Sequence, residues 1–420
     1  MKKIVFVGGG IVSCISALKL LEKGHNVEIY ERHSKLGGIL QDFNNGNQIF
    51  LRGCKYIIFE NNWANKFYKD LLQSLFVLNV NYGVYVENNK NNIFSEEYAI
   101  PLFNNINIKK INQNLKKFNF NNIETVSDRL NFYPDKIKIF LKNIILKHKL
   151  KPSELNQISL GSFAMTRIAS IKNSEIIYKL KKKSNVIDNL FAINRSRLFK
   201  KKLKALLPKN GYDELFSNIK FKLCNKGAKI ILNSQLNLNW KESQLKLFNQ
   251  GVEVKNDLII WTGDPTNVVK SFNGKNLESH HYKVVQFNSN ISNSKNFKTI
   301  YIQVFSENSN IIRINLYKIN NIEKVSIETI FQGYKNSDIV YDEALKILKK
   351  FNIHLVLDIS SFSKNLDLRY NIISKNDFKI LKEFSYKVRN SNILSKFMLK
   401  QGINNKINSV FSDLKKRNYF

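Results

Sequence analysis

The chain has 420 residues, 43% of them hydrophobic, so it can bury a large core in two or three domains and is not a disordered protein. Lysine and arginine number 67 and aspartate and glutamate 33, which gives a formal net charge of +34. Such a charge ordinarily suggests nucleic acid or an anionic membrane as a partner. However, the excess is nearly all lysine and accompanies heavy use of asparagine and isoleucine, as AT-rich codons would produce, so charge alone does not identify a partner.

The amino-terminal segment predicts a strand, a glycine turn and an amphipathic helix in direct succession. The strand covers residues 3–7, the turn is Gly8, Gly9 and Gly10, and a helix follows until Gly24. In such a unit, backbone N–H groups and the helix N-terminus meet the pyrophosphate of a dinucleotide. We predict that Gly8 permits the turn and that Gly10 lets the backbone approach the phosphates closely.

A second apolar strand follows and ends in an acid. Glu31 comes 21 positions after Gly10, where a carboxylate can accept hydrogen bonds from the hydroxyls of the adenosine ribose. An acid at this position argues against a 2′-phosphate on the ligand. Ser13 occupies the third small position of the turn motif, in place of glycine or alanine, which we interpret as a mild departure that helix-strand packing tolerates.

The next residues resemble a known group of proteins. The spacing from Glu31 to the pair Gly37-Gly38 is similar to the second glycine motif of two-domain flavoproteins, the group that contains amine oxidases, protoporphyrinogen oxidase and UDP-galactopyranose mutase. The resemblance implies that FAD is the tightly held cofactor and that the glycine pair lies against its diphosphate. It also implies that the strand pair within residues 42–57 leads to Gly53 near the isoalloxazine, although a plain β-hairpin is an alternative interpretation.

The nucleotide-fold pattern returns in the middle of the chain. A proline-glycine loop at 208–212 opens an amphipathic helix and a strand, and a later apolar strand ends at Thr262 and Gly263. The resemblance identifies this strand end as the motif beneath the cofactor, whereas a strand that merely ends in a turn is the alternative. The predicted cofactor-binding residues are therefore Gly8, Gly10, Ile11, Val12, Ser13, Glu31, Arg32, Gly37, Gly38, Gly53, Thr262 and Gly263.

The remaining segments divide into a helical and a strand-rich part. Residues 95–205 are mostly helical in pattern, with a long amphipathic run that opens near Asp135 and ends at Leu146. Residues 282–331 alternate as strands of an antiparallel sheet, which would suit one wall of a substrate cavity.

The fold class that we predict is α/β. It comprises a Rossmann-type FAD-binding domain with a parallel sheet, an inserted helical segment and an antiparallel-sheet substrate domain. The predicted FAD-binding domain is discontinuous and comprises residues 1–95, 205–268 and 390–420. Residues 96–204 form the helical domain and 269–389 the substrate domain.

One arginine stands inside an apolar strand of the predicted substrate domain. An unpaired guanidinium there would be costly, so Arg313 requires an anion. Its segment resembles the strand in UDP-galactopyranose mutase whose arginine meets the diphosphate of the sugar nucleotide, which implies a substrate-binding role. A structural ion pair with Glu328 is an equal alternative. Arg167, Arg195 and Arg197 are further candidates for the diphosphate, although we expect them on the surface.

The carboxy-terminal motif departs from the group. Ser395-Lys396 stands where a Gly-Arg or Gly-Asp pair is usual, and the tyrosines that the mutase carries beyond it are missing. The leading hypothesis is an FAD-dependent oxidoreductase or flavin-dependent mutase that acts on a nucleotide sugar in surface-polysaccharide synthesis. An amine oxidase or desaturase, and a non-catalytic dinucleotide-binding or basic interaction protein, are alternatives. No side chain is predicted to be catalytic, because the flavin itself would be the reactive group.

The cysteines and the basic runs indicate the setting of the protein. Cys14, Cys54 and Cys224 are far apart and lack metal-ligand spacing, so we expect reduced thiols, no metal site and a cytoplasmic location, with Cys14 and Cys224 in the core. Lys181-Lys182-Lys183 is interpreted as a solvated helix face, and no nucleic-acid-binding signature accompanies it. Since no apolar stretch approaches the roughly 18–20 residues that span a bilayer, any membrane contact would be peripheral.

Overall fold

The structure is a computed structural model that describes residues 1–53, 56–59, 76–87, 92–103, 123–133, 135–170, 174–183, 188, 193–195, 204–278, 280–330, 336–400 and 402–419. Within these ranges the strands are β1 Lys3–Val7, β2 Asn26–Tyr30, β3 Asp42–Asn45, β4 Gln48–Leu51, β5 Ile57–Phe59, β6 Phe76–Glu87, β7 Asn92–Ser95, β8 Ile100–Phe103, β9 Ile168–Ser170, β10 Lys204–Pro208, β11 Lys229–Ile231, β12 Asn237–Lys241, β13 Gln244–Asn249, β14 Val252–Val254, β15 Leu258–Trp261, β16 His280–Lys295, β17 Ile300–Ser306, β18 Ile311–Ile319, β19 Ile322–Ile330, β20 His354–Leu357, β21 Ser363–Ile372 and β22 Ile393–Leu394.

The α-helices of the same ranges are α1 Ile11–Glu22, α2 Val126–Leu130, α3 Asp135–Lys147, α4 Ser174–Lys182, α5 Tyr212–Asn225, α6 Pro265–Asn273, α7 Ser337–Lys350, α8 Lys375–Lys387 and α9 Ile403–Lys416. Helix α3 confirms the amphipathic run that the sequence predicts from Asp135, and α5 confirms the helix that the loop at 208–212 opens.

A parallel sheet carries the amino-terminal unit. Its strands lie in the order β11-β2-β1-β15-β22, and every pair in it is parallel. Strand β1 is apolar on both sides because both of its faces are covered. Ile4 and Phe6 pack with α1, α5 and α9, whereas Val5 packs with α6, α8 and β13. This sheet confirms the Rossmann-type unit that the glycine turn predicts.

A larger sheet contains the predicted antiparallel strands. Its strands lie in the order β20-β16-β19-β18-β17-β6-β10-β5, with β21 paired to β16 and β7 paired to β6. Strands β16 to β19 confirm the four alternating segments between 282 and 331, and neighbours among these four strands pair antiparallel. Strand β17 also pairs with β6, in parallel. Helix α7 covers one face of this sheet through Val340, Ala344 and Leu348.

The helical segment packs against the opposite side of the large sheet. Residues of α2 and α3 form one apolar cluster with Val84, Val86 and Phe305 of the sheet. Helix α2 begins with a capping box, in which Thr125 and Asp128 satisfy each other's backbone N–H groups. The domain boundaries drawn from the sequence stay a prediction. They place β5, β6 and β10 outside the substrate domain, whereas in the structure these strands pair within the large sheet.

The expectations for Cys224 and Lys181 are wrong. Cys14 is buried as expected, but Cys224 is exposed, because it lies on the side of α5 away from the apolar stripe; Cys54 lies outside the described residues. The Lys181 side chain is 0% exposed and pairs with Asp188, while Lys182 and Lys183 are exposed.

A membrane-spanning helix is not found in the described part of the chain, where every helix is too short or too polar to cross a bilayer.

Candidate functional site

The glycine turn is held against the end of β15. Gly8 has φ +105° and its N–H donates to the Tyr30 carbonyl oxygen at 2.8 Å. A Cβ on Gly8 would lie 2.9 Å from both the Gly263 nitrogen and the Thr262 Oγ1. Only glycine therefore fits the first position of the turn, both in backbone conformation and in space.

The acid at the end of β2 closes the turn from the other side. Glu31 is 6% exposed, and its Oε2 accepts the Gly9 N–H at 2.6 Å while its Oε1 accepts the His33 N–H at 2.9 Å. Burial, together with the nearby Glu31 carboxylate, raises the pKa of the Cys14 thiol to about 12. The carboxylate thus faces the turn, and the amides of Gly8 and Gly9 are already bonded within the protein.

An opening lies beside Gly10, where α1 begins. Gly10 is the N-cap of α1 and has no side chain to cap it, and residues 11–13 carry no acid. Apart from its chain neighbours and the helix's own backbone, no described atom lies within 4 Å of a Cβ built on Gly10, and a Cβ on Gly38 would approach only the Gly10 backbone, at 3.4 Å. The first-turn N–H groups of a helix, here those of residues 11–13, have no acceptor inside the helix and favour an anion.

The second glycine motif forms the other wall of this opening. Gly10 and Gly37 make an isolated parallel bridge, and the Gly37 N–H donates to the Gly9 carbonyl oxygen at 2.9 Å. Gly37 has φ +127° and Gly38 has φ +60°, so both adopt conformations that favour glycine. The structure therefore brings the two predicted glycine motifs together at the N-terminus of α1.

Ser13 connects the helix to the central strand. Its Oγ donates to the Gly8 carbonyl oxygen at 2.5 Å and lies 2.5 Å from the Thr262 Oγ1, which is also within hydrogen-bond distance of the carbonyl oxygens of Val7 and Gly8, at 3.3 and 3.2 Å. The Gly263 N–H donates to the Val7 carbonyl oxygen at 3.0 Å. The serine is thus a bonded part of the turn and not merely a tolerated small residue, which the sequence could not indicate.

Arg32 and Gly53 lie at the edges of the predicted site. The Arg32 side chain is exposed and its Nε donates to the His33 Nε2 at 3.1 Å. Gly53 has φ +83°, directly after β4. The two residues that follow Gly53, which the sequence assigns to the same segment, lie outside the described residues.

The segment before Gly53 is fastened to the large sheet by side chains. The Leu51 N–H donates to the Tyr317 hydroxyl at 3.2 Å, and the Leu51 carbonyl oxygen accepts the Gln286 Nε2 at 2.7 Å. Tyr317 in turn bonds Ser326 at 2.9 Å. Sequence reasoning missed these contacts, because alternation in a strand shows which residues share a face but not what that face touches.

The side of the large sheet that contacts Leu51 is called the polar face. On strands β16 to β19 it carries buried side chains with hydrogen-bonding groups, opposite the apolar face that α7 covers. Its members are Gln286, Asn288, Gln303, Arg313, Asn315, Tyr317, Ser326 and Glu328. A buried face of this composition at the end of the nucleotide unit is the candidate substrate wall.

Arg313 occupies the centre of an ion-paired cluster on the polar face. It is 5% exposed, its Nη1 lies 3.3 Å from the Glu328 Oε2 and its Nε donates to the Gln303 Oε1 at 3.3 Å. The structural pair considered from the sequence is therefore present, and the ligand role of Arg313 stays a prediction. A cavity of about 20 Å³ adjoins it and His148, and burial lowers the pKa of His148 to about 3.

Arg167 is buried, contrary to the surface position expected from its basic surroundings. Its Nε donates to the Tyr98 carbonyl oxygen at 2.9 Å, and its guanidinium carbon lies 4.5 Å from the Tyr98 ring, 5.2 Å from the Tyr82 ring and 5.7 Å from the Tyr301 ring. Its buried Nη2 has no hydrogen-bond acceptor among the described residues. Burial raises the pKa of Tyr82 and Tyr98. Arg195 is partly exposed, and Arg197 lies outside the described residues.

The carboxy-terminal motif completes the parallel sheet. Strand β22 pairs with β15, and Ser395 follows it with its hydroxyl 3.1 Å from that of Ser385, while Lys396 is exposed. A short 3-10 helix over Lys396–Leu399 and then α9 continue from there. The described residues contain no group of three or more His, Cys, Asp or Glu side chains that could hold a metal ion.

Comparisons with known proteins agree with this geometry. A sequence model of the NAD(P)-binding Rossmann-like domain matches residues 7–71, and a search of curated protein sequences gave no significant match. Among solved structures, reduced UDP-galactopyranose mutase superposes with a TM-score of 0.66 at 12% identity, with 100% of this chain and 96% of that chain covered. A protein assigned as a protoporphyrinogen oxidase from Exiguobacterium sp. 255-15 gives 0.63 at 11%, with 99% and 98% covered.

A putrescine oxidase structure gives a TM-score of 0.57 at 9% identity, with 99% of this chain and 98% of that chain covered. At such identities the likeness establishes the fold alone. The chain therefore has the fold that these oxidases and the mutase share, and the resemblance inferred from the sequence is confirmed at that level.

Proposed function

We propose that the chain binds FAD at the opening beside Gly10. The observation that carries this proposal is the meeting of two glycine motifs at a helix N-terminus that neither a side-chain cap nor an acid occupies. A diphosphate has the charge and size for such a position. Because Gly8 and Gly9 use their amides internally, the donors to the diphosphate would be backbone N–H groups of the first turn of α1.

Glu31 and the second glycine motif would select the rest of the dinucleotide. The Glu31 carboxylate is held by two backbone N–H groups, and each of its oxygens keeps acceptor capacity for a ribose hydroxyl. A 2′-phosphate at that point would meet a like charge in a buried place, which disfavours it. When bound, FAD would supply hydride or electron exchange, while the residues described here bind and orient it.

We further propose that the chain is a flavin-dependent enzyme of the UDP-galactopyranose mutase type, which acts on a nucleotide sugar in surface-polysaccharide synthesis in the cytoplasm. Arg167 and Arg313 both lie near the Tyr301 ring, with their guanidinium carbons 5.7 and 5.9 Å from its centre. Among the described carboxylates, only Glu328 is ion-paired with one of these two arginines. The remaining positive charge supports an anionic group, such as a diphosphate, as part of the substrate.

Two other functions are alternatives, and a different observation bears on each. The tyrosines around Arg167 resemble the aromatic lining expected of an amine oxidase, but a guanidinium in their midst would repel an ammonium substrate. The pair Ser395-Lys396, in place of the usual glycine-containing pair, supports a protein that binds the dinucleotide without catalysis. A salt-dependent affinity for polyanions without a yellow cofactor would favour the latter.

The absorbance spectrum of the purified protein, with and without added FAD, tests the cofactor. We expect flavin bands in the wild type and their loss in Gly10→Val, because the added side chain fills the opening. The melting temperature of the FAD-free variant should stay near that of the wild type, since φ of Gly10 is −75° and its Cβ meets no described atom. A wild-type protein that stays colourless with FAD, or that binds only NAD, contradicts the proposal.

The substrate is tested with Arg167→Lys and Arg313→Lys in the reduced protein. Lysine keeps the charge but loses the forked donor geometry that suits a diphosphate. We expect weaker binding of UDP-galactose to either variant, measured by calorimetry. Unchanged affinity in both would remove these arginines from the substrate site.

A further inference from the structure

The polar face contains a group of amide side chains with unmet hydrogen-bonding capacity. Along β18 the side chains alternate: Ile314 and Leu316 pack toward α7, whereas Arg313, Asn315 and Tyr317 belong to the polar face. Asn315 is 0% exposed, in the middle of this strand. An asparagine in such a place needs partners for one donor group and one acceptor atom.

The strand register places Asn315 within a row of polar residues. Asn315 lies opposite Tyr301 on β17 and opposite Ser326 on β19, and Ser326 lies opposite Asn288 on β16. The adjacent row consists of Gln303, Arg313, Glu328 and Gln286 in the same strand order. Two neighbouring rows of the sheet are thus entirely polar and buried.

Four polar atoms of these rows have no partner in the described part of the chain. Asn288 Oδ1 accepts the Gln286 Nε2 and the Ser326 Oγ, both at 2.6 Å. In contrast, Asn288 Nδ2, Gln286 Oε1 and both Nδ2 and Oδ1 of Asn315 are buried without a hydrogen bond. Native proteins leave few buried polar groups unpaired, so four at neighbouring positions of one face point to a ligand that pairs with them.

We propose that Asn315, with Gln286 and Asn288, is a recognition site for the vicinal hydroxyls of a sugar ring. This proposal deepens the proposed function and rests on the polar face being the substrate side of the site. Each hydroxyl both donates and accepts, so two adjacent hydroxyls satisfy the donor and the acceptor of one carboxamide together. The unpaired atoms include donors and acceptors in equal number, which matches a neutral polyhydroxylated group.

The charges of the face support a neutral group at this point. The Arg313 guanidinium in the adjacent row is paired with Glu328, so the two rows together hold one positive and one negative charge. A carboxylate there would satisfy only the amide nitrogens, and an ammonium only the amide oxygens. The unpaired atoms are closed to solvent in this structure, so a sugar ring would reach them only if neighbouring side chains moved apart.

The FAD-free protein provides the first test. Asn315→Leu removes an unpaired amide while keeping the volume, so we expect the melting temperature to rise, on the order of 2 °C. Asn315→Asp places a charge in the same position and should lower it. If Asn315→Leu lowers the melting temperature instead, the amide has a structural partner and the proposal is wrong.

The second test compares UDP-galactose with UDP, which lacks the sugar and ends in a free terminal phosphate. We expect the wild type to bind UDP-galactose more tightly, by roughly tenfold, and Asn315→Leu to bind both alike. Thr329→Val is the matched control, because Thr329 is a buried residue of the same sheet whose hydroxyl donates to the Val285 carbonyl oxygen. A preference for the sugar that survives Asn315→Leu, or a wild type that does not distinguish the two ligands, overturns the proposal.

These outcomes are separable from those of the cofactor test. Nucleotide binding can be measured by calorimetry on protein without flavin, and the melting experiment needs no ligand. A colourless protein that still prefers UDP-galactose through Asn315 would refute the FAD site and leave the sugar site standing. A yellow protein without this preference would do the reverse.

Discussion

The hydroxyls of Ser13 and Thr262 lie 2.5 Å apart, and they join the first turn of α1 to the residue that follows β15. Both hydroxyls also bond the carbonyl oxygen of Gly8, at 2.5 and 3.2 Å. The glycine turn is therefore fixed from the helix and from the central strand at once. Its shape does not depend on a bound nucleotide alone.

Removal of these hydroxyls should reveal a coupled pair. We expect Ser13→Ala and Thr262→Val each to lower the free energy of unfolding by about 1 kcal/mol. The double variant should lose less than the sum, because each single change already breaks the shared bond. Urea denaturation of the four proteins measures this coupling. Strictly additive losses would mean that the two hydroxyls act independently.

Gly8 should tolerate substitution far less well than Gly10. Gly8→Ala forces a Cβ into a contact of 2.9 Å with the Gly263 backbone at φ +105°, so we expect a loss of at least about 2 kcal/mol in the free energy of unfolding. Gly10→Ala, measured in the same way, is the control and should change it by less than about 0.5 kcal/mol. Equal losses would contradict the packing of the turn on β15.

Asp42 should make stability depend on pH in the acidic range. Its Oδ1 accepts the Tyr212 N–H at 3.0 Å and its Oδ2 the Asp213 N–H at 2.9 Å, at the N-terminus of α5. Burial outweighs these bonds and raises the pKa of Asp42 from 3.8 to about 6. The folded state then holds the proton more tightly than the unfolded chain, so the stabilising contribution of this group is complete below about pH 4 and is lost as pH rises through about 6.

The replacement Asp42→Asn should remove this slope. The amide oxygen still accepts one backbone N–H, but the NH₂ group opposes the other, so the variant should also lose about 1 kcal/mol of stability near pH 4. Chemical denaturation at half-unit intervals between pH 4 and 7 measures both effects. A wild-type slope that persists in the variant would assign the titration to another group.

Lys181 should act in the opposite pH direction. Burial lowers its pKa from 10.5 to about 8, although Asp188 partly compensates. The unfolded chain then holds the proton more tightly, so this group's contribution to stability increases as pH rises from about 8 toward 10.5. Burial also lowers the pKa of Lys147 and Lys324, so these groups titrate in the same range. The measurement is therefore the difference in free energy of unfolding between wild type and Lys181→Met from pH 7.5 to 9.5. Parallel curves would contradict the burial of Lys181.

Replacement of Arg313 alone should destabilise the protein more than replacement of both Arg313 and Glu328. Arg313→Ala leaves the Glu328 carboxylate buried without its guanidinium, and we expect a loss of about 3–5 kcal/mol in the free energy of unfolding. Replacement of both residues, Arg313→Met with Glu328→Leu, should recover most of it. Denaturant titration distinguishes the variants, and a double variant as unstable as Arg313→Ala would show that other contacts dominate.

The sequence predicted those parts of the fold that short-range patterns determine. The glycine turn, the acid after β2 and the alternation in β16 to β19 each depend on neighbouring residues, and all of these elements form as expected. The turn motif also located the candidate cofactor site, because the spacing of its glycines reflects backbone geometry.

The contacts that sequence reasoning missed join distant segments. Ser13 and Thr262 are 249 positions apart, and Gln286 and Leu51 are 235 positions apart. Arg167 and Lys181 were both expected at the surface, yet the fold encloses both. Burial of a charged side chain depends on tertiary packing and leaves no periodic signal in the sequence.

The strand order of the parallel sheet has a consequence for biosynthesis. Strand β1 is synthesised first, but its partner β15 ends just before Thr262, which lies 255 positions after the Val7 carbonyl that it bonds. At about 5–20 residues per second, the ribosome needs on the order of 10–50 s to deliver that partner. During this interval the backbone N–H and C=O groups on one edge of this apolar strand stay open to pairing with other chains. We expect co-expression of a chaperone that binds the nascent chain to raise the yield of folded protein more than a lower growth temperature does.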